Sequence, residues 1–283
     1  MRLILRLKAL EDQKYDINYN RKFQSFIYNT LRNTHYHYLH DFVKYKNQEK
    51  NSEIKRSSPF CFSNLFPYGD MRRGSIKNII ISSPDEDLIF TLYKKIIQTT
   101  SIINLGKSAF KISNTKVFRL KLNGFKFTTL TPVIIRIPEY RYKNYDLDLK
   151  HPYKYIFWRK EYPLEMFFQQ LETNLQKKYH RFYNNTITIK LFNLATFMLK
   201  KQVSHKVSIN GKEQILIGTM WDFWFDDLDY NSDVVDFTDT TNHDDNKMNQ
   251  NNKTKQSYNI LNFFIESGFG ERNSLGYGFI NPL

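Results

Sequence analysis

Apolar residues fall at every second position where the chain opens: Leu3, Leu5 and Leu7 alternate with other residues in MRLILRL. That period of two predicts a strand. After a polar break at residues 16–20, Phe23, Phe26, Ile27, Thr30 and Leu31 recur at helical spacing and predict a helix over residues 21–31. Residues 60–65 (FCFSNL) read as a strand followed by a turn at Pro67 to Gly69, and residues 76–82 as another strand. Pro84 opens a helix running to about Gln98, with Asp85, Glu86 and Asp87 suited to its positive N-terminal end. Residues 110–122 are largely extended and contain at least one more strand. The order is β-α-β-β-α-β, the ferredoxin-like unit.

The same order returns in the second half. Residues 126–137 (KFTTLTPVIIRI) predict a strand, and Phe167, Phe168, Leu171 and Leu175 mark a helix over residues 164–182. Residues 186–197 and 212–225 predict strands joined by a polar hairpin region, residues 258–265 a short helix, and residues 276–280 a closing strand. The expected fold class is α+β, with two tandem ferredoxin-like (RRM-like) βαββαβ domains at residues 1–123 and 124–283, dividing near Asn123 and Gly124. Residues 226–257 interrupt the second domain. Asp, Asn, Thr, Lys and Gln dominate there, which predicts a flexible acidic insertion.

Composition narrows the partner. A chain of 283 residues with 41% hydrophobic residues can bury a proper core. No stretch approaches the roughly 18 to 20 apolar residues of a membrane span, and MRLILRLKA is broken by Arg6 and Lys8, unlike a secretory signal. The single Cys61 excludes an internal disulfide or a zinc site built from cysteines, and suits a reducing cytoplasm. The net charge of +14 hides a division, because residues 222–255 carry −6 and the remainder +20. With 19 tyrosines and 24 phenylalanines, the basic remainder suits RNA or single-stranded nucleic acid, which offers phosphates and base faces.

Four of the ten glycines lie in ESGFGERNSLGYGFI, at Gly268, Gly270, Gly276 and Gly278, with Arg272, Asn273 and Ser274 between the pairs. The run follows a predicted helix and leads into a strand, the reverse of a dinucleotide fingerprint, and no Gly-Lys-Ser/Thr ends it as in an ATP-binding loop. A phosphate-facing backbone nest and a tight helix-to-strand connection both remain open. The motif GFGERNSLGYGF resembles the C-terminal glycine-rich motif of the RAMP superfamily, and more narrowly that of the CRISPR precursor-RNA endoribonucleases (the Cas six family). MRLILRLKA, NYNRKFQSFIYNTL, a later LHD, FCFSNL and FTTLTPVIIR agree with that family in order along the chain.

THYHYLHD places His35, His37 and His40 close together. Their spacing completes no metal-ligand set, and from the residues alone they are solvated histidines or acid–base groups. Arg21, Ser25, Tyr28 and Arg32 recur at spacings of four, three and four, so they fall on the polar side of the first helix. The family resemblance implies cleavage by the ribose 2′-hydroxyl, leaving a 2′,3′-cyclic phosphate and a 5′-hydroxyl, with no metal and no cofactor. It carries the catalytic histidine onto His40 in Leu39-His40-Asp41 and a catalytic tyrosine onto Tyr28. The family's common lysine position just before the second strand is not matched, since Ser57, Ser58 and Pro59 stand there; among Lys44, Lys46, Lys50, Lys55 and Arg56, Lys46 is the choice. Arg21, Arg32 and the glycine-rich run are candidate RNA contacts, with Lys190, Lys200, Lys201, Lys206, Arg136 and Arg141 as further basic groups. The implied partner is CRISPR precursor RNA, with CRISPR effector subunits and a second copy of the chain as further candidates. The rival reading is a non-catalytic RAMP-type RNA-binding subunit.

Overall fold

The computed structural model describes residues 1–41, 60–99, 102–122, 125–147, 149, 153–189, 195–209, 212–225, 235–236 and 250–283. The chain divides into two compact units, Met1–Lys121 with Asn273–Gly276, and Leu122–Arg272 with Tyr277–Leu283. Asn123 and Gly124, where the sequence places the division, lie outside the described residues. Among the described residues no helix is long and apolar enough to cross a membrane.

Unit 1 follows the order β1 (Arg2–Ala9), α1 (Asn20–Leu31), α2 (Tyr38–Asp41), β2 (Cys61–Phe62), β3 (Ile76–Ser82), α3 (Glu86–Thr99), β4 (Ile102–Leu105) and β5 (Ser108–Phe118). Its sheet runs β2-β3-β1-β5-β4, and β1 pairs antiparallel with both β3 and β5. The period of two in β1 sends Leu3, Leu5, Leu7 and Ala9 into the core while Arg6 and Lys8 stay exposed. Phe23, Ile27 and Leu31 of α1 and Leu88, Ile89, Leu92 and Ile96 of α3 complete that core at helical spacing. The hairpin partner β4 is an addition to the ferredoxin-like order; it turns into β5 at Gly106, whose φ is +69°. The short turn of helix at Asn273–Leu275 belongs to this unit although it lies near the end of the chain.

Unit 2 follows β6 (Lys126–Thr129), β7 (Arg136–Pro138), α4 (Glu139–Tyr142), β8 (Tyr155–Phe157), α5 (Leu164–Tyr183), β9 (Thr188–Ile189), β10 (Ala195–Ile209), β11 (Lys212–Phe225), β12 (Val235–Asp236), α6 (Gln250–Ser267) and β13 (Ile280–Pro282). Its main sheet runs β10-β11-β6-β13, which repeats the β2-β3-β1-β5 order of unit 1 strand for strand. The tandem ferredoxin-like fold therefore rests on connectivity as well as element order. The core is aromatic: Trp221 of β11 lies 4.8 Å from the ring of Phe167 in α5, and Trp158 lies 4.9 Å from Phe167.

Several boundaries differ from the sequence expectation. Residues 126–137 do not form one strand: β6 ends at Thr129, and β7 resumes at Arg136. Between them lies Pro132, which has no N–H to offer a ladder. The strand expected at residues 186–197 splits into β9 and β10, and β10 continues through the polar stretch to Ile209. Only Asp222, Phe223 and Trp224 of β11 pair with β6, so much of the β10–β11 hairpin pairs with itself beyond the ladder with β6. The last helix begins at Gln250, inside the segment expected to be flexible; residues 226–234 and 237–249 of that segment lie outside the described residues. The closing strand starts at Ile280, because Gly276 and Gly278 take φ of +80° and +70°, which no strand accommodates.

Phe167→Ala would open a hole among Trp158, Phe168 and Trp221. We expect a loss of about 3–5 kcal/mol in chemical denaturation; a loss under about 1 kcal/mol would show that this cluster is not closely packed.

Candidate functional site

Helix α1 presents three polar side chains one turn apart, Asn20, Gln24 and Tyr28, to the turn Asn273–Leu275. Asn20 Nδ2 donates to the Leu275 carbonyl at 3.0 Å. Gln24 Nε2 donates to Ser274 Oγ at 3.0 Å and to the Tyr28 hydroxyl at 3.3 Å. The Tyr28 ring stands edge-on to Phe60, with centroids 6.0 Å apart. Burial pushes the Tyr28 phenol above its ordinary value, against the opposing pull of hydrogen bonds with Ser274 and Gln24. Tyr28 is therefore a neutral phenol at physiological pH, suited to donating a hydrogen bond rather than to acting as a base.

The turn comes so close because Gly276 has no side chain. A Cβ there would lie 2.4 Å from Cε2 of Phe62, and the residue's φ of +80° is itself a glycine conformation. Phe62 is fully buried on β2 and packs edge-on to Phe23 of α1, with centroids 4.9 Å apart. One aromatic ring thus supports α1 from below and sets how near the glycine can pass.

Within unit 2, the first glycine pair answers to a different neighbour. A Cβ on Gly270 would fall 2.5 Å from the Ile134 carbonyl oxygen. The Glu271 N–H donates to that same oxygen at 2.9 Å, and the Glu271 carboxylate pairs with Arg136. Lys178 of α5 donates to the Gly268 carbonyl. Phe269 donates its N–H to Gly278, Gly278 donates to Pro132, and Phe279 donates to Thr131 Oγ1. All four glycines are buried, and the half-buried stretch is Glu271 to Leu275. These inward hydrogen bonds make the glycines packing devices; Arg272, Asn273 and Ser274 are the residues with accessible polar side chains. Arg272 has a φ of +62°, uncommon for a residue with a side chain.

The other sequence candidates are dispersed. Arg21, Ser25 and Arg32 are exposed, and Ser25 Oγ donates to the Arg21 carbonyl at 3.0 Å. His35 and His37 are also exposed, with His37 Nδ1 3.0 Å from the Thr34 carbonyl. His40 lies on the single turn of α2, and its side chain is outside the described residues, as are Lys44, Lys46, Lys50, Lys55, Arg56 and Lys190. Lys200 turns back to its own sheet, donating to Asp222 Oδ1 and Thr128 Oγ1 at 3.1 Å each. Arg141 donates to Gln170 Oε1 at 2.9 Å, and Lys206 pairs with Glu213 at 2.6 Å.

Two groups were not anticipated from the sequence. Gln24 shares a helical line with Tyr28, but nothing in the sequence distinguishes it from other polar helix residues. His205, on the β10–β11 hairpin, has Nδ1 2.6 Å from the Tyr277 hydroxyl. Burial lowers the His205 pKa and raises that of Tyr277, with Arg272 opposing the latter, so Tyr277 donates to a neutral imidazole. The sign follows from linkage: an unfolded histidine near 6.5 takes up a proton before the buried one does.

The family model for "CRISPR associated protein Cas6, C-terminal" matches residues 114–282, more than half of the chain. A CRISPR-associated endoribonuclease Cas6 from Methanocaldococcus jannaschii is 29% identical over 290 residues, covering 100% of both chains. Its counterpart from Haloferax mediterranei is 24% identical, covering 99% of this chain and 93% of the relative. Among solved structures, a CRISPR associated protein Cas6 aligns with TM-score 0.63 at 18% identity, covering 100% of this chain and 99% of the other. The product of a Cas6-related gene from Pyrococcus furiosus aligns with the same TM-score and identity over 100% and 98%. Those two likenesses carry the fold.

Gly276→Ala is expected to cost about 1–3 kcal/mol in chemical denaturation, with part of that cost absent in a Phe62→Leu background; full additivity would show that the ring is not what the new methyl meets. His205→Gln should flatten the fall in stability between about pH 7.5 and about pH 5.5, and an unchanged slope would place the acid sensitivity elsewhere. With its strand order repeated in two units, its glycine-rich run seated on α1 and its family model matched over most of the second unit, the chain belongs to the Cas6 family of CRISPR-associated proteins.

Proposed function

We propose that the chain is an endoribonuclease that cuts precursor CRISPR RNA within its repeats, through attack by the ribose 2′-hydroxyl and without a metal. Full-length similarity to proteins named as CRISPR-associated endoribonucleases supports the coarse activity. The observation that supports the site is the meeting of Tyr28 and Ser274, candidates from opposite ends of the sequence that Gln24 bridges.

In this mechanism the 2′-oxygen bonds to the adjacent phosphorus as its proton passes to a base, and the bond from phosphorus to the 5′-oxygen breaks. The leaving 5′-oxygen takes up a proton, so the products are a 2′,3′-cyclic phosphate and a 5′-hydroxyl. His40 is assigned the proton transfers, because an imidazole titrates near neutrality. The neutral Tyr28 phenol donates to a phosphoryl oxygen, and Lys46 balances the charge that builds there. Arg21, Arg32, Arg272, Asn273 and Ser274 are assigned to the RNA backbone.

The test is cleavage of labelled repeat RNA in EDTA. We expect wild-type protein to cut and His40→Ala to bind with unchanged affinity but not cut. Tyr28→Phe is expected to lower the single-turnover rate by about 10²-fold. Loss of wild-type cleavage in EDTA would refute the metal-free mechanism, and full activity of His40→Ala would remove that histidine from it. Binding without any cleavage would favour a non-catalytic RNA-binding subunit.

A further inference from the structure

The flank of α1 away from Tyr28 carries a second polar concavity. Lys22, Phe26, Asn29 and Asn33 follow one another at spacings of four, three and four, so they line one side of the helix and its C-terminal extension. Opposite them stand Lys95 of α3 and the edge strand β4, with Ile102 and Asn104, enclosing a groove of about 580 Å³. That volume lies within the range of about 300–1,000 Å³ typical of small-ligand sites.

Its chemistry is one-sided. Among the described residues, two ammonium groups, three carboxamides and the hydroxyls of Ser25 and Thr30 line the groove, and no carboxylate does. β4 ends the sheet, so alternate peptide groups of that strand face away from β5. Ile102 is 54% exposed, an unusual allowance for isoleucine on a strand, and with Phe26 it supplies an apolar surface between the polar groups. The ligand that matches is an anion with a flat face and a hydrogen-bonding edge. Lysines hold phosphate as point charges, and asparagine carboxamides pair with the edges of unpaired bases.

We propose that this groove holds one nucleotide of single-stranded RNA, its phosphate against Lys22 and Lys95 and its base edge against Asn29, Asn33 and Asn104. The inference rests on the RNA-processing reading and extends it. A single helix then serves two purposes, with Tyr28 toward the scissile phosphate on one flank and a grip on a remote nucleotide on the other. Occupancy of the groove contributes to affinity and leaves the chemical step untouched.

Fluorescence anisotropy with labelled repeat RNA, over a range of salt concentrations, tests it. Lys22→Glu and Asn29→Ala alter exposed side chains and should leave the fold intact; thermal melts check this for Lys95→Glu. We expect Lys22→Glu to raise Kd about tenfold and to reduce the slope of log affinity against log salt by about 0.7, the value for one phosphate on a single strand. Asn29→Ala should weaken binding with no change of salt slope, and single-turnover cleavage at saturating RNA should match wild type in both. Wild-type affinity and slope in Lys22→Glu and Asn29→Ala would overturn the groove while leaving the nuclease reading standing. Wild-type protein that binds no RNA would overturn both.

Discussion

Phe62 occupies the space that a side chain at Gly276 would need. The ring is part of the unit 1 core, wedged edge-on against Phe23 of the helix that carries Tyr28. A residue with a Cβ at position 276 could not pass at that distance, and the turn Asn273–Leu275 would lose its seat on Asn20 and Gln24. The candidate site therefore depends on an absence of atoms at one position and a large buried ring at another. Gly270 obeys the same rule in unit 2, where the neighbour is the Ile134 carbonyl rather than a ring. Glycines there serve proximity first, and the polar residues between them are what the chain presents.

Protonation states sort the chemistry. Burial keeps the Tyr28 phenol neutral, and hydrogen bonds from its neighbours only partly oppose that. A neutral phenol can steady a phosphoryl oxygen but is a poor base near neutral pH, which is why the proposed mechanism assigns proton removal to His40 rather than to Tyr28. The Tyr277–His205 pair is built alike from two neutral groups, and it ties the exit of the glycine-rich run to the long β10–β11 hairpin. At the entry, Glu271 pairs with Arg136 and Lys178 holds the Gly268 carbonyl. The parts of the run that belong to unit 2, before Asn273 and after Gly276, are each held by side chains of unit 2.

Most of the architecture was legible in periodicity, and the exceptions have physical causes. The strong period of two in β1 and the helical stripes of α1 and α5 marked elements whose buried faces pack on one side. Pro132 interrupted a run that looked like one strand, and positive φ at Gly276 and Gly278 delayed the last one. β10 was harder to see because Lys200, Lys201 and Lys206 break up its apolar character and the register shifts between Leu199 and Lys201; Phe197 and Leu199 alternate with exposed neighbours before that shift, and Val203, His205 and Val207 after it. At the site, Tyr28 and Ser274 were visible through motifs, whereas Gln24, which bridges them, was not. A glutamine's role is set by what it meets across the fold, and one sequence does not encode that pairing locally.

The end groups of the cut RNA test the central claim most directly. Mass spectrometry of both fragments after incubation with wild-type protein should find a 2′,3′-cyclic phosphate on the upstream piece and a 5′-hydroxyl on the downstream piece. A 3′-hydroxyl facing a 5′-phosphate would contradict it, because that outcome requires water, not the ribose, to attack phosphorus.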